Sequence, residues 1–432
     1  MAVPTRDSKV SRRKEIFGYC MFDFANSSYT TLISTVAFSR YFVIAVVGGD
    51  NPNRDLYWSL AAAAAHLVLI LISPFLGAVA DYSGRKKQFL LWTTIQTVVA
   101  CALLATVAPG ALGWGVALFI VATVGFEAGY IFYNAFLPEI STPKTIGRIS
   151  AWSWGTGFIG GLLALIACAP LIRRPLVVPG AADGAMDPSA VLEWRLSFVV
   201  VAGFFALFSI PTFLFLRERR PRASTDLRPS YFAVGWKRVS ETLTHLRTHR
   251  EAGKYVVAYL FFYGGIETVI KFSAIYAKVT FGIDDAELVM LFVWTNIAAV
   301  PGTLAAGYVA DWLGKRRALA LTLVGWILLL IWGSQAGSTN AFWVLAMGIA
   351  IGMGATQAIG RAVMGGLSPE DRRSEFFGYY LMAGRIGSIL ALVLFGVIAS
   401  GTGDQRLAVL WLVPLFVIGL VFVLAVREPK TS

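Results

Sequence analysis

Charge is scarce in this chain. Only 14% of its 432 residues are Asp, Glu, Lys or Arg, while 57% are hydrophobic. A soluble domain carries roughly 25% charged residues, so a water-exposed globule is excluded. Cysteine is nearly absent: Cys20, Cys101 and Cys168 all fall inside apolar runs. An odd, buried set excludes a disulfide framework, and no C-x-x-C spacing suggests zinc. Histidine is as rare. His245 and His249 stand four apart without a nearby Cys, Asp or third His, so neither a metal site nor any cofactor is expected. No H-E-x-x-H, G-x-S-x-G or P-loop pattern appears, which argues against an enzyme. The net charge of +12 comes from short basic loops rather than a basic stripe with interleaved aromatics, so no nucleic-acid partner is expected.

What is present is a recurrence of long apolar runs. Twelve are distinguishable, at 16–47, 56–80, 88–107, 114–136, 149–170, 195–216, 255–281, 285–308, 318–334, 341–364, 376–400 and 405–426. Each is close to the roughly 20 residues that cross about 30 Å of hydrocarbon as a helix. Helices satisfy their own backbone hydrogen bonds, which makes them the spanning element of choice. The first run is too long for a signal-peptide core and is read as a retained spanning helix.

Lys and Arg concentrate in alternate loops, including Arg12, Arg13, Lys14, Arg85, Lys86, Lys87, Lys315, Arg316 and Arg317. Basic loops stay in the cytoplasm, so both termini are expected there. An odd number of helices breaks this alternation. The expected organisation is therefore a cytoplasmic segment 1–15, a six-helix bundle 16–216, a basic linker 217–254, a second six-helix bundle 255–426 and a tail 427–432. Within the linker, Phe232, Trp236, Val239, Leu243 and Leu246 follow helical spacing beside Lys237, Arg238, Arg247 and Arg250. That pattern reads as an amphipathic helix lying on the inner leaflet.

The halves repeat. Gly77-Ala-Val-Ala-Asp81-Tyr-Ser-Gly84-Arg85-Lys86-Lys87 returns as Gly307-Tyr-Val-Ala-Asp311-Trp-Leu-Gly314-Lys315-Arg316-Arg317, and Leu137-Pro138-Glu139 returns near Leu367-Ser-Pro369-Glu370 at almost the same offset. Alternating access needs such duplication, because two similar bundles rock about a central site. The loop resembles the signature loop of the major facilitator superfamily, with Tyr82 where many members carry Arg. The resemblance implies an all-α membrane fold of twelve transmembrane helices in two pseudo-symmetric six-helix bundles. The glycines allow close approach and a tight turn. Asp81 with Arg85, and Asp311 with Lys315 or Arg316, are expected to close a cytoplasmic gate through charge-assisted hydrogen bonds, with Gly84 and Gly314 at its turns.

Four further stretches carry a closer resemblance. Phe22-Asp23-Phe24-Ala25-Asn26-Ser27 is similar to the YDFANS stretch of the unknown-major-facilitator family, which includes the vacuolar amino-acid effluxers of autophagy. Phe132-Tyr133-Asn134-Ala135-Phe136-Leu137-Pro138-Glu139, Gln357-Ala-Ile-Gly-Arg361 and Glu375-Phe376-Phe377-Gly378-Tyr379 resemble three more of its motifs. In the seventh segment, where members often carry Asn-Asp-Gly, this chain has Tyr263-Gly264-Gly265 followed by Glu267.

A charge near the bilayer centre costs about 2.5–3.5 kcal/mol on insertion scales, so it usually meets a cavity or a partner. Asp23, Asn26, Glu127, Asn134, Glu267, Lys271, Asn296, Gln357, Arg361 and Arg385 are the polar residues so placed, and they are the candidates for substrate binding or proton coupling. Glu267 and Lys271 share a helix face and are spaced to pair. His66 is read as packing with one hydrogen bond. Gly155, Gly157, Gly160 and Gly161 suit close helix contact, and the Gly-Pro step of antiporters is missing. The Trp and Tyr content is assigned mostly to interfacial belts. The superfamily resemblance places a site between the bundles near the midplane, lined by helices 1, 4, 7 and 10. The expected function is secondary active transport of a small polar solute, an amino acid or similar, with protons as a candidate coupling ion. A lipid or amphiphile carrier and a transporter-like sensor are the alternatives. The expected form is a lipid-embedded monomer in the plasma membrane.

Overall fold

The computed structural model describes residues 6–51, 53–178, 185–219, 249–283, 285–402 and 405–427. The linker helix read at 232–250 and His245 therefore lie mostly or wholly outside the described residues. The described chain is helical throughout, apart from one antiparallel bridge between Val177 and Met186. The helices are α1 (Arg6–Ser28, continuing to Val46), α2 (Arg54–Ser83), α3 (Lys86–Leu103), α4 (Leu112–Ile140), α5 (Ile146–Ile172), α6 (Pro188–Phe215), α7 (Arg250–Phe281), α8 (Asp285–Leu313), α9 (Lys315–Gln335), α10 (Thr339–Leu367), α11 (Arg373–Thr402) and α12 (Gln405–Ala425). Among the described residues, eleven of these are long and apolar enough to cross a membrane. The twelfth long helix is α8, with 29 residues.

Helices run past the apolar runs that announce them. α1 begins at Arg6 rather than 16, α6 at Pro188 rather than 195, and α7 at Arg250 rather than 255. Lys, Arg and Glu propagate a helix well, so polar end turns extend it beyond the apolar stretch. α6 starts where its sequence says it can: Asp187 accepts from the Ser189 backbone N–H, and Pro188 occupies the first turn. Ser338 caps α10 in the same way through Ala341. Beyond Ser28, α1 widens. Tyr29–Val36 and Phe42–Val46 form π-type turns, in which Ala37 N–H bonds Leu32 O at 2.6 Å and Val47 N–H bonds Phe42 O at 2.9 Å.

The chain forms two compact units. One comprises Met1–Leu69, Arg85–Tyr133 and Thr156–Glu218, and the other Ile70–Gly84, Asn134–Gly155 and Arg219–Ser432. In the first unit, α5 lies against α1 through glycines. A Cβ on Gly157 meets Ser27 Oγ at 2.9 Å, and one on Gly160 runs into the Phe24 carbonyl. In the second, α11 lies on α7, and a Cβ on Gly387 runs into the Leu260 carbonyl. The sequence offset carries Gly157 onto Gly387, so the repeat extends to how closely these helices touch.

Overpacking of this kind costs about 1–3 kcal/mol. Gly160→Ala is therefore expected to lower the melting temperature in detergent by several degrees. Gly203→Ala, with nothing within 4 Å of its Cβ, leaves it unchanged.

Candidate functional site

In the first unit, α1 and α4 build a polar seam inside an aromatic wall. Asp23 and Asn26 lie one turn apart on α1 and are both buried, as is Glu127 on α4. Tyr130 donates its hydroxyl to Asn26 Oδ1 at 3.2 Å. Tyr29 and Thr123 share a hydroxyl hydrogen bond of 2.8 Å, and the Tyr29 ring stacks on Phe126. Tyr133 bonds the Tyr19 carbonyl at 2.9 Å while its ring stacks between Tyr19 and Phe22. The carboxyl and amide groups thus sit among rings and hydroxyls.

In the second unit, α7 and α11 share a tyrosine ladder. The rings of Tyr380, Tyr259 and Tyr263 stack in succession, with centroids 3.7 and 4.7 Å apart. Tyr263 donates to Glu267 Oε1 at 3.0 Å, and the Arg385 guanidinium lies over the same ring at 5.9 Å. Glu267 and Lys271 were spaced to pair, yet no ion pair joins them. Tyr263 takes Glu267 instead, and Lys271 is exposed. Arg361 on α10 is buried and bonds Ser150 at the start of α5 and Asn134 in α4. Gln357 and Asn296 are half-buried, as is His66.

The tyrosines correct a further expectation. Tyr19, Tyr29, Tyr41, Tyr133 and Tyr255 have no exposed surface at all, so they are core residues and not an interfacial belt, and the hydroxyls of Tyr29, Tyr41, Tyr133 and Tyr255 are hydrogen-bonded there. The four-residue spacing of Tyr255, Tyr259 and Tyr263 was the available signal for the ladder. Ser150 and Arg148 carried no such signal, because their importance lies in what they meet across helices.

The acids of both signature loops, Asp81 and Asp311, lie in the second unit and do something other than pair within the loop. Asp311 accepts from the backbone N–H groups of Gly147 and Arg148 at 2.9 and 3.1 Å, and from Arg148 Nε at 3.1 Å. Asp81 accepts from the Glu375 backbone N–H at 2.9 Å. Each acid therefore sits at the start of a helix, α5 or α11. The first N–H groups there lack intrahelical acceptors, and the helix dipole favours negative charge. No ion pair links Asp81 to Arg85, or Asp311 to Lys315 or Arg316, among the described residues. The basic side chains cap carbonyls instead. Lys315 donates to Pro143 O at 3.1 Å and Arg316 to Val426 O at 2.9 Å, while Lys87 donates to Leu216 O at 2.6 Å. Gly77 and Gly307 make the approach possible: the former lies against the Ser374 backbone and the latter against Gly147. Gly84 and Gly314 hold positive φ of 62° and 93° where the loop turns, as their place in the repeat suggests.

A sequence model described as vacuole effluxer Atg22-like matches residues 43–432. The chain belongs to the Atg22-like family. It is 28% identical over 421 residues to the uncharacterized MFS-type transporter YxiO of Bacillus subtilis, covering 97% of this chain and 96% of that one. It is 24% identical over 479 residues to autophagy-related protein 22-1 of Neosartorya fischeri, covering 89% and 76%. Among solved structures it resembles the major facilitator transporter FucP in the outward conformation, with a TM-score of 0.76 at 14% identity over 97% of this chain and all of that one. It also resembles the proton:xylose symporter XylE, with a TM-score of 0.74 at 12% identity over 97% of both. The Atg22-like chain thus has the major facilitator fold. It is a multi-pass membrane transporter and not an enzyme.

Asp311→Ala leaves three donors at the start of α5 without their acceptor. It is expected to destabilise the protein by about 1–2 kcal/mol, read as a lower melting temperature in detergent. Asp311→Asn keeps one acceptor oxygen and is expected to lose less.

Proposed function

We propose that this Atg22-like protein moves small polar solutes, amino acids foremost, by proton-coupled alternating access. One observation carries the reading: Asp23 and Asn26 on α1 and Glu127 on α4 are all buried, and half-buried Tyr130 of α4 donates to Asn26. Carboxyl groups are costly inside a membrane and are kept where they meet a solute path or carry a proton. Glu267 at the Tyr263 hydroxyl and Arg385 over the Tyr263 ring add an acidic and a cationic group in the second unit, which suits a ligand bearing both charges. Resemblance to the amino-acid effluxers of autophagy points to the same ligand class. Asn134, Gln357, Asn296 and Lys271 are secondary candidates for solute contact, and the Asp81 and Asp311 loops are the gate. The basic loops set orientation, with both termini in the cytoplasm and the chain in the plasma membrane.

The test uses purified protein. A panel of the common amino acids is screened for thermal stabilisation, since a ligand selective for the folded form raises its melting point. The amino acids that stabilise are then followed into proteoliposomes with and without an imposed pH gradient. Flux that responds to the gradient is expected, and Glu127→Gln is expected to abolish that response while leaving binding. Flux indifferent to pH in both proteins removes Glu127 from the coupling step. Binding without any flux makes the protein a sensor.

A further inference from the structure

Arg361 occupies a position in α10 from which the sequence points it at solute, but its guanidinium is turned into protein. Its Nε donates to Ser150 Oγ at 3.0 Å, one terminal nitrogen donates to the Ser150 carbonyl at 2.9 Å, and the other to Asn134 Oδ1 at 3.4 Å. Ser150 answers by donating its own hydroxyl back to Ala358 O of α10 at 2.7 Å. The Trp154 ring, one turn further along α5, lies 5.5 Å from the guanidinium. Arg361 and Ser150 are 2% exposed and fully buried respectively.

We propose that Arg361 is a positioning residue of the transport cycle and not a solute contact: it latches α10 to the start of α5 and the end of α4 when the basic side is shut. The inference rests on the chain being an alternating-access transporter, not on the identity of its solute.

Three features support it. The donors that reach Ser150 and Asn134 cover every nitrogen of the guanidinium. Both helices contribute to the bond pair, α10 through Arg361 and Ala358 O, and α5 through the hydroxyl and carbonyl of one serine. The contact also lies one turn beyond Gly147 and Arg148, the residues held by Asp311 of α8. The start of α5 is therefore clasped by α8 at its backbone N–H groups and by α10 at Ser150. Opening the basic side requires these first turns to leave both helices. In the Asp311 clasp the Asp311 side chain is 9% and the Arg148 side chain 36% exposed, whereas Arg361 in the latch is only 2% exposed. A charge-assisted bond without bulk water is stronger than a neutral one, so the latch weighs heavily on how often that side opens.

The test needs no solute. Cys20, Cys101 and Cys168 are replaced by serine or alanine, and spin labels are placed at Lys144→Cys in the α4–α5 connection and Asp371→Cys in the α10–α11 connection. Both sites are exposed. The label-to-label distance distribution is recorded for the parent, for Arg361→Lys and for Ser150→Ala. Loss of a hydrogen bond to a charged group corresponds to about a tenfold change in an equilibrium. Both variants are therefore expected to raise the ratio of long to short distances by about tenfold. A merely structural role lowers the melting temperature and leaves the distances as they were. That result in Ser150→Ala, which keeps the arginine and its charge, overturns the proposal even if Arg361→Lys does not fold.

Discussion

A helix in hydrocarbon satisfies its own interior, but not its first turn. The first N–H groups have no carbonyl within the helix to bond. Away from water, each one left unsatisfied is costly. In this protein α5 and α11, whose first turns are tucked against other helices, both receive a carboxylate from elsewhere in the chain. Asp311 serves α5 and Asp81 serves α11. The need to terminate a buried helix thus decides where the signature loops sit. It also decides how closely Gly77 and Gly307 must approach. The basic residues of the same loops answer the opposite need at the other kind of helix end, donating to carbonyls at Leu216 and Val426. Acid at the starts and base at the ends follow the direction of the helix dipole.

The number of helices, the repeat and the burial of the carboxyl groups were legible in the sequence. They follow from hydropathy, length and a fixed offset, which are properties of the chain itself. The family was legible too, because its motifs are contiguous. What escaped were partners. Asp311 stands four residues from Lys315 and five from Arg316, and loop spacing makes them look like a set. The choice of Arg148 and the α5 backbone is a tertiary fact. Glu267 and Lys271 have the spacing of a helical pair, but a tyrosine on the preceding turn is the nearer donor and the lysine stays exposed. Arg361 reads as an expensive charge in need of a solute, and the cost is met by a serine 211 positions away in the chain.

The two units reach polarity by different means. In the first, hydroxyls from tyrosine and threonine meet amide and carbonyl oxygens across α1 and α4. In the second, a ring is shared between an acid and a base. Aromatic residues serve as the structural medium in both. They bring bulk to fill the space between helices and carry a polar atom at the tip, so a dry interior keeps hydrogen-bonding capacity without additional charge.

The widened turns of α1 have a geometric consequence of their own. Ala25, Tyr29, Ile33, Ala37, Tyr41 and Ala45 are all buried, one every four residues. An α-helix turns about 100° per residue, so steps of four would wind such a row steadily round the cylinder until it faced the lipid. A π turn holds nearly one residue more, and the stretches Tyr29–Val36 and Phe42–Val46 unwind the drift. The row runs straight. In this part of the chain the period of the pattern and the pitch of the backbone are matched to each other, and a single inserted or deleted residue would change which neighbour Tyr41 faces long before it changed the length of the span.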